Sequence, residues 1–315
     1  MKVGIIGSGL VGATSAYAIM MRKAASDIVL IDANEMRAVA EAQDIMHAVP
    51  FAAATDIYPG TYEDLHDARV VVISAGASQK PGETRLMLME KNAAIMRDII
   101  AKTVAVNPEV IFLVATNPVD IITHICMHVA TDLGIPKSRV IGSGTTLDTA
   151  RFRSLLGRHL GVDPQHVHAY VVGEHGDSEV LCWSNVDIGG VPLDDFIAFR
   201  NIPFGQDVKN NIDDGVRNAA YKIIEGKGST YYGVAGAIAK LVEVINRDNR
   251  AVLTVSIFHE EVEGVRNVTL SLPHLIGGQG DLGMLPMRLN VREKQLLKRS
   301  AEIIRSKIEE YENQK

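Results

Sequence analysis

The chain opens on a short apolar run, Val3-Gly4-Ile5-Ile6, which passes through a glycine-rich turn into a stretch of helical spacing that lasts to about residue 24. Further apolar runs stand at 28–31, 55–58, 70–74, 111–115 and 139–142, and helical spacing fills the intervals 34–47, 90–106 and 120–133. The strand-like runs are continuously apolar rather than alternating, as expected of strands buried on both faces. Pro59-Gly60, Asn107-Pro108, and Gly134 with Pro136 supply the stops. Six strands joined by helices predict an α/β fold with a doubly wound parallel sheet.

After about residue 143 the pattern changes. Helices are predicted at 147–160, 208–225, 229–245 and 291–311, the last amphipathic and highly charged, with a strand-like run at 167–172. From 251 to 285 the chain alternates and carries turn glycines, which predicts antiparallel strands. The reading is therefore a parallel-sheet domain at 1–143 followed by a mixed α+β domain at 144–315, with the boundary near Ser143-Gly144. With 315 residues, 47% of them hydrophobic, both halves can hold a core. A net charge of -6 argues against a nucleic-acid surface. No apolar run reaches the roughly 18 residues of a membrane span, and a strand starting at residue 2 leaves no room for a leader. Cys126 and Cys182 are too few for a disulfide framework, so a cytoplasmic protein with reduced thiols is expected.

The first turn carries the most specific chemistry. Gly7-Ser8-Gly9-Leu10-Val11-Gly12 lies between a strand and a helix, and Asp32 follows 20 positions after the last glycine, at the end of the next strand. That is the Rossmann dinucleotide-binding fingerprint. Gly7 permits the turn, Gly9 lets the backbone approach a pyrophosphate at a helix N-terminus, and Gly12 allows close packing. Asp32 suits the two hydroxyls of an adenine ribose and would repel a 2′-phosphate, so NAD is expected over NADP.

Three more features fall at strand ends, where ligands bind in open parallel sheets. Residues 77–85 form a polar loop with Pro81, Gly82 and a terminal Arg85, either a hinged lid or an ordinary solvated loop. Asn117 precedes Pro118 and could orient a ligand or cap the turn. Gly173-Glu174-His175-Gly176-Asp177 follows a strand, and His175 stands out among ten histidines as a candidate proton carrier. His124 and His128 have the i,i+4 spacing of a zinc pair, but no Glu lies between them. They read as helix-surface or interface residues, and no metal is expected.

Taken together, Gly7 to Gly12, Gly82-Glu83-Thr84-Arg85, Thr116-Asn117-Pro118-Val119-Asp120, Leu147-Asp148-Thr149-Ala150-Arg151-Phe152-Arg153 and Gly173 to Ser178 resemble, in order and spacing, the NAD-dependent lactate and malate dehydrogenases. The resemblance implies that His175 exchanges the proton and that Asp148 orients it, a pairing that their separation of 27 residues does not reveal. It implies that Arg151 grips the substrate carboxylate, that Arg85 polarises the reacting carbonyl, and that Asn117, Thr230 and Val234 lie near the substrate or the nicotinamide. Gln79 matches a position that is typically Arg in malate dehydrogenases. A neutral residue there favours pyruvate and L-lactate over oxaloacetate, because a second carboxylate would lack its partner. Arg153 and His168 match the positions that bind fructose 1,6-bisphosphate between subunits in activated bacterial L-lactate dehydrogenases; without an effector they are a surface Arg and His. A homotetramer is the family expectation, while the apolar pattern does not separate tetramer from dimer.

Overall fold

A computed structural model of the chain describes residues 1–52, 54–77 and 85–313. Its centre is a nine-stranded sheet. Six strands run parallel: β1 (Lys2–Ile6), β2 (Asp27–Ile31), β3 (Asp56–Pro59), β4 (Ala68–Ile73), β5 (Ile111–Val114) and β6 (Val140–Gly142). Their order is β3-β2-β1-β4-β5-β6, so the winding reverses between β1 and β4. Three antiparallel strands, β12 (Ala251–Val262), β13 (Val265–Gly277) and β14 (Gly280–Met284), extend the same sheet beyond β6. The join is a pairing of Ser256 with Gly142. Glu263 and Gly264 both take positive φ at the turn between β12 and β13, the conformation that a tight two-residue hairpin requires.

The strands are apolar throughout because both faces are covered. Val3 and Ile5 of β1, with Val70 and Val72 of β4, pack on α1 (Leu10–Met21), α2 (Glu35–Ala48) and α9 (Tyr232–Arg247). Ile6, Val71 and Ile73 point the other way, onto α3 (Arg85–Val106), α4 (Val119–Asp132) and α10 (Val291–Glu312). A separate core joins α5 (Thr146–Leu160) to α6 (Leu193–Arg200) and α7 (Gln206–Arg217) around Phe152, Leu156 and Val216. Asn290 caps α10 with a reciprocal bond to Glu293, which fixes the start of a helix whose Leu297, Ala301, Ile304 and Ile308 are buried.

The sheet and its doubly wound helices agree with the pattern of the sequence. Four local readings differ. The helix expected at 208–225 is two, α7 and α8 (Ala219–Lys227), broken at Asn218. The strand expected at 167–172 is split into β7 (Val167–His168) and β8 (Val171–Val172), which pair in different small sheets. β9 (Val180–Leu181), β10 (Asp187–Ile188) and β11 (Val191–Pro192) have two residues each, too short for a period-two pattern. Helix α6, which buries Leu193, was not anticipated. Among the described residues no helix is long and apolar enough to cross a membrane. Cys126 and Cys182 are buried free thiols.

Candidate active site

The glycine turn follows β1, beside the point where the strand order reverses. Gly7 takes φ +101°, and a Cβ there would come within 2.5 Å of the Ala75 backbone. A Cβ on Gly12 would sit 1.8 Å from the Gly7 carbonyl oxygen, so α1 approaches the turn as closely as only glycine allows. At Gly9 a Cβ would meet nothing within 4 Å, so this backbone faces open space. A cavity of about 820 Å³ lies there, lined by Gly7, Gly9, Asp32, Ser74 and Gly76. Asp32 accepts from Ser8 N at 2.6 Å and from Asn34 N at 2.9 Å, which ties it to the turn. Arg37, a cation in the first turn of α2, also lines this cavity; the sequence alone did not single it out.

A second, narrower cavity of about 170 Å³ brings together Asn117, Arg151, His175, Thr230 and Val234. These residues come from the loop after β5, from α5, from the loop after β8, and from the loop before α9 and the first turn of that helix. His175 Nδ1 donates to Asp148 Oδ2 at 2.6 Å. The other oxygen of Asp148 accepts from Arg151 Nη1 at 2.7 Å. Asp148 and Arg151 are three residues apart on α5, hence neighbours on one face of that helix.

The charges are strongly coupled. Burial alone would lower the pKa of His175, but the Asp148 carboxylate overrides it, aided by Asp120 and Glu179, and raises it to about 9. Burial would raise Asp148, yet the imidazolium and Arg151 hold it below the usual carboxylate range.

Two buried carboxylates beside this pair received no role from the sequence. Asp120, in the first turn of α4, accepts from the backbone N–H of His175 at 2.8 Å and from Ser256 Oγ at 2.6 Å. Burial lifts its pKa to about 6 despite those bonds. Glu179 is pushed to about 8 by burial and then by the charge of Asp148. Their signal lay in the motifs themselves: Asp120 ends Thr116-Asn117-Pro118-Val119-Asp120, and Glu179 follows Gly173 to Ser178 directly. Ser256 carried none.

Arg153 is half-buried on α5, with Nε donating to Ala169 O at 3.0 Å and its guanidinium 5.5 Å from the centre of the Tyr170 ring. His168 is exposed on β7, opposite Asp187 of β10. Gln79 lies outside the described residues, as does the rest of 78–84; for Arg85 the backbone position alone is described, at the start of α3.

Comparison with known proteins identifies the class. Residues 1–142 match the lactate/malate dehydrogenase NAD-binding domain, and residues 145–315 match the lactate/malate dehydrogenase alpha/beta C-terminal domain. The chain belongs to the lactate/malate dehydrogenase family, a family of oxidoreductases. It is 54% identical over 309 residues to the L-lactate dehydrogenase of Geotalea daltonii, covering 98% of this chain and 99% of that protein. It is 52% identical to the L-lactate dehydrogenase of Thermus aquaticus, covering 97% of each. Among solved structures it superposes on the minor L-lactate dehydrogenase of Enterococcus mundtii in its ligand-bound form, with a TM-score of 0.92 at 37% identity, covering 98% of this chain and 97% of that one.

Proposed function

We infer that this chain is an NAD-dependent L-lactate dehydrogenase, interconverting pyruvate and L-lactate. The observation that carries the reading is the chain Arg151–Asp148–His175 facing one cavity with Asn117, Thr230 and Val234. The glycine turn offers the open backbone, and Asp32 the carboxylate acceptor, that a dinucleotide needs, so the residues present fit NAD. When bound, the cofactor supplies the hydride that reaches the carbonyl carbon of pyruvate. His175, held through Nδ1 by Asp148, delivers a proton from Nε2 to the carbonyl oxygen; in lactate oxidation the neutral imidazole takes it back. Arg151 holds the substrate carboxylate through its planar fork, which Lys would not reproduce. Arg85 polarises the carbonyl as negative charge develops on its oxygen. Residues 1–143 serve as the cofactor domain and 144–315 as the substrate domain of a cytoplasmic homotetramer. The direct test is the rate of NADH oxidation with pyruvate against that with oxaloacetate. A preference for oxaloacetate would transfer the chain to the malate branch.

The cofactor preference gives a separate expectation. NADH should be used far better than NADPH, because the Asp32 carboxylate would face the 2′-phosphate. Asp32→Ser should narrow the gap mainly by weakening NADH. Arg37, which lines the same cavity together with Lys102, is a cation that could offset this effect. Equal kcat/KM for both cofactors in the unmodified protein would show that it does so.

Regulation follows from Arg153 and His168. Fructose 1,6-bisphosphate should lower the KM for pyruvate and favour the assembled oligomer, since two such cationic pairs across an interface repel without an anion and bond to one when it is present. The response should fade at high salt, because part of it is electrostatic. Pyruvate titrations with and without millimolar effector, repeated with Arg153→Gln, measure it. Superimposable curves at low salt would leave Arg153 as a packing residue, bonded to Ala169 and stacked near Tyr170.

A further inference from the structure

We propose that His124, His128 and Glu312 form a binding site for a divalent transition-metal ion of the zinc class, which clasps the end of α10 to α4. The ligand atoms of these three residues lie within 4.8 Å of one another. Two atoms bound to one tetrahedral zinc stand about 3.4 Å apart, given bond lengths near 2.0–2.1 Å. His124 Nε2 and Glu312 Oε1 are already 3.8 Å apart. Closing the widest pair requires at most about 1.4 Å of movement, and the two groups that would move, His128 and Glu312, are the exposed ones.

The sequence alone supplied two donors on one helical face and no third. The fold adds the third from the last turn of α10, which packs along α4 through the same core. Two neighbours hold the donors in a ligating pose. His124 Nδ1 lies 2.9 Å from Thr269 Oγ1; an Nδ1–H that donates to this hydroxyl leaves the lone pair on Nε2, which faces Glu312. Glu312 accepts from Arg305 Nη2 at 2.9 Å through Oε2, so that Oε1 is the oxygen turned to the histidine. Such outer partners fix tautomer and orientation at metal sites. The Phe258 ring stands 6.0 Å from the His124 ring and 6.1 Å from the His128 ring, bracing both. The donors line a cavity of about 500 Å³ with room for a bound water as a fourth ligand, and Asp132 adds negative charge to its wall. Arg97 lines it too, with its guanidinium engaged by the Tyr311 hydroxyl. Two imidazoles and one carboxylate suit zinc or cobalt rather than magnesium or calcium.

The test is titration of the full chain, stripped with a chelator, with Co²⁺ and then Zn²⁺, followed by calorimetry, visible absorption and thermal melting. One equivalent per chain should bind with about micromolar affinity or better, with the visible bands of tetrahedral cobalt and a rise in Tm. His128→Ala, at an exposed position, should weaken binding by at least about 100-fold and abolish the Tm rise. Its pyruvate reduction without metal should be unchanged. Thr269→Val should weaken binding by about 10–100-fold while keeping all three ligands. Equal affinity in wild type and His128→Ala would locate any bound metal elsewhere, at His175 for instance, and overturn the proposal. So would the absence of binding at about 100 µM metal.

Discussion

Replacing His175 by Asn is expected to lower kcat for pyruvate reduction by about 10²–10⁴-fold while NADH binding stays nearly intact. Among the described residues that line the Asn117–Arg151–Thr230–Val234 cavity it is the one imidazole, and no carboxyl group lines it; the cavity beside the glycine turn is lined by other residues. Steady-state rates and fluorescence titration of NADH separate the two effects. Near-normal turnover would remove His175 from the chemistry. The pH dependence of the unmodified protein has a definite sign. With the His175 pKa raised to about 9, the imidazolium persists through neutrality. Pyruvate reduction should fall as pH rises through about 9, and lactate oxidation should climb over the same interval. The ion pair acts on stability in the same direction. A group whose pKa is raised on folding contributes fully below its unfolded value, near 6.5, and loses that contribution as pH passes through its folded value. Melting temperature should therefore decline over this window, and Asp148→Asn should flatten the decline.

The second large effect concerns the substrate side chain. kcat/KM for pyruvate is expected to exceed that for oxaloacetate by at least about 100-fold, or about 2.7 kcal/mol of differential transition-state stabilisation. In the proposed reading, where Gln79 stands beside the substrate side chain, this neutral residue would offer a second carboxylate no counter-charge, whereas the methyl group of pyruvate needs none. Gln79→Arg should shift the preference strongly toward oxaloacetate. Lys80 is adjacent and cationic, so Lys80→Gln serves as the control: if it, rather than Gln79→Arg, moved the ratio, the selecting residue would be misassigned.

The sequence carried the large elements because their signals are local and repeated. A strand such as β4 announces itself by five apolar residues in six, and α1 by the glycine turn that starts it. Two-residue strands have no period to read, and the break at Asn218 interrupts an otherwise helical run with no Gly or Pro at the break itself. The site was legible in the same measure. The glycine turn and Asp32 are contiguous enough to be read from spacing. The His175–Asp148 pair was not, since only the packing of α5 against the loop after β8 brings them within 2.6 Å; family resemblance supplied it. Asp120 and Glu179 stood inside or beside quoted motifs, but a carboxylate's burial and neighbours are properties of the folded chain. Ser256 lies in an alternating strand pattern where a serine is unremarked, and its role exists only because β12 adds to the edge of β6.

That addition restricts how the molecule can move. Ser256 pairs with Gly142 at the join and, through its hydroxyl, anchors Asp120, which in turn holds the backbone of His175. A jaw-like parting of the two halves would unzip this seam and release the histidine at once. Substrate must therefore enter and leave by local displacement of loops and helix ends around a rigid frame, and any rate-limiting motion belongs to those segments rather than to the frame.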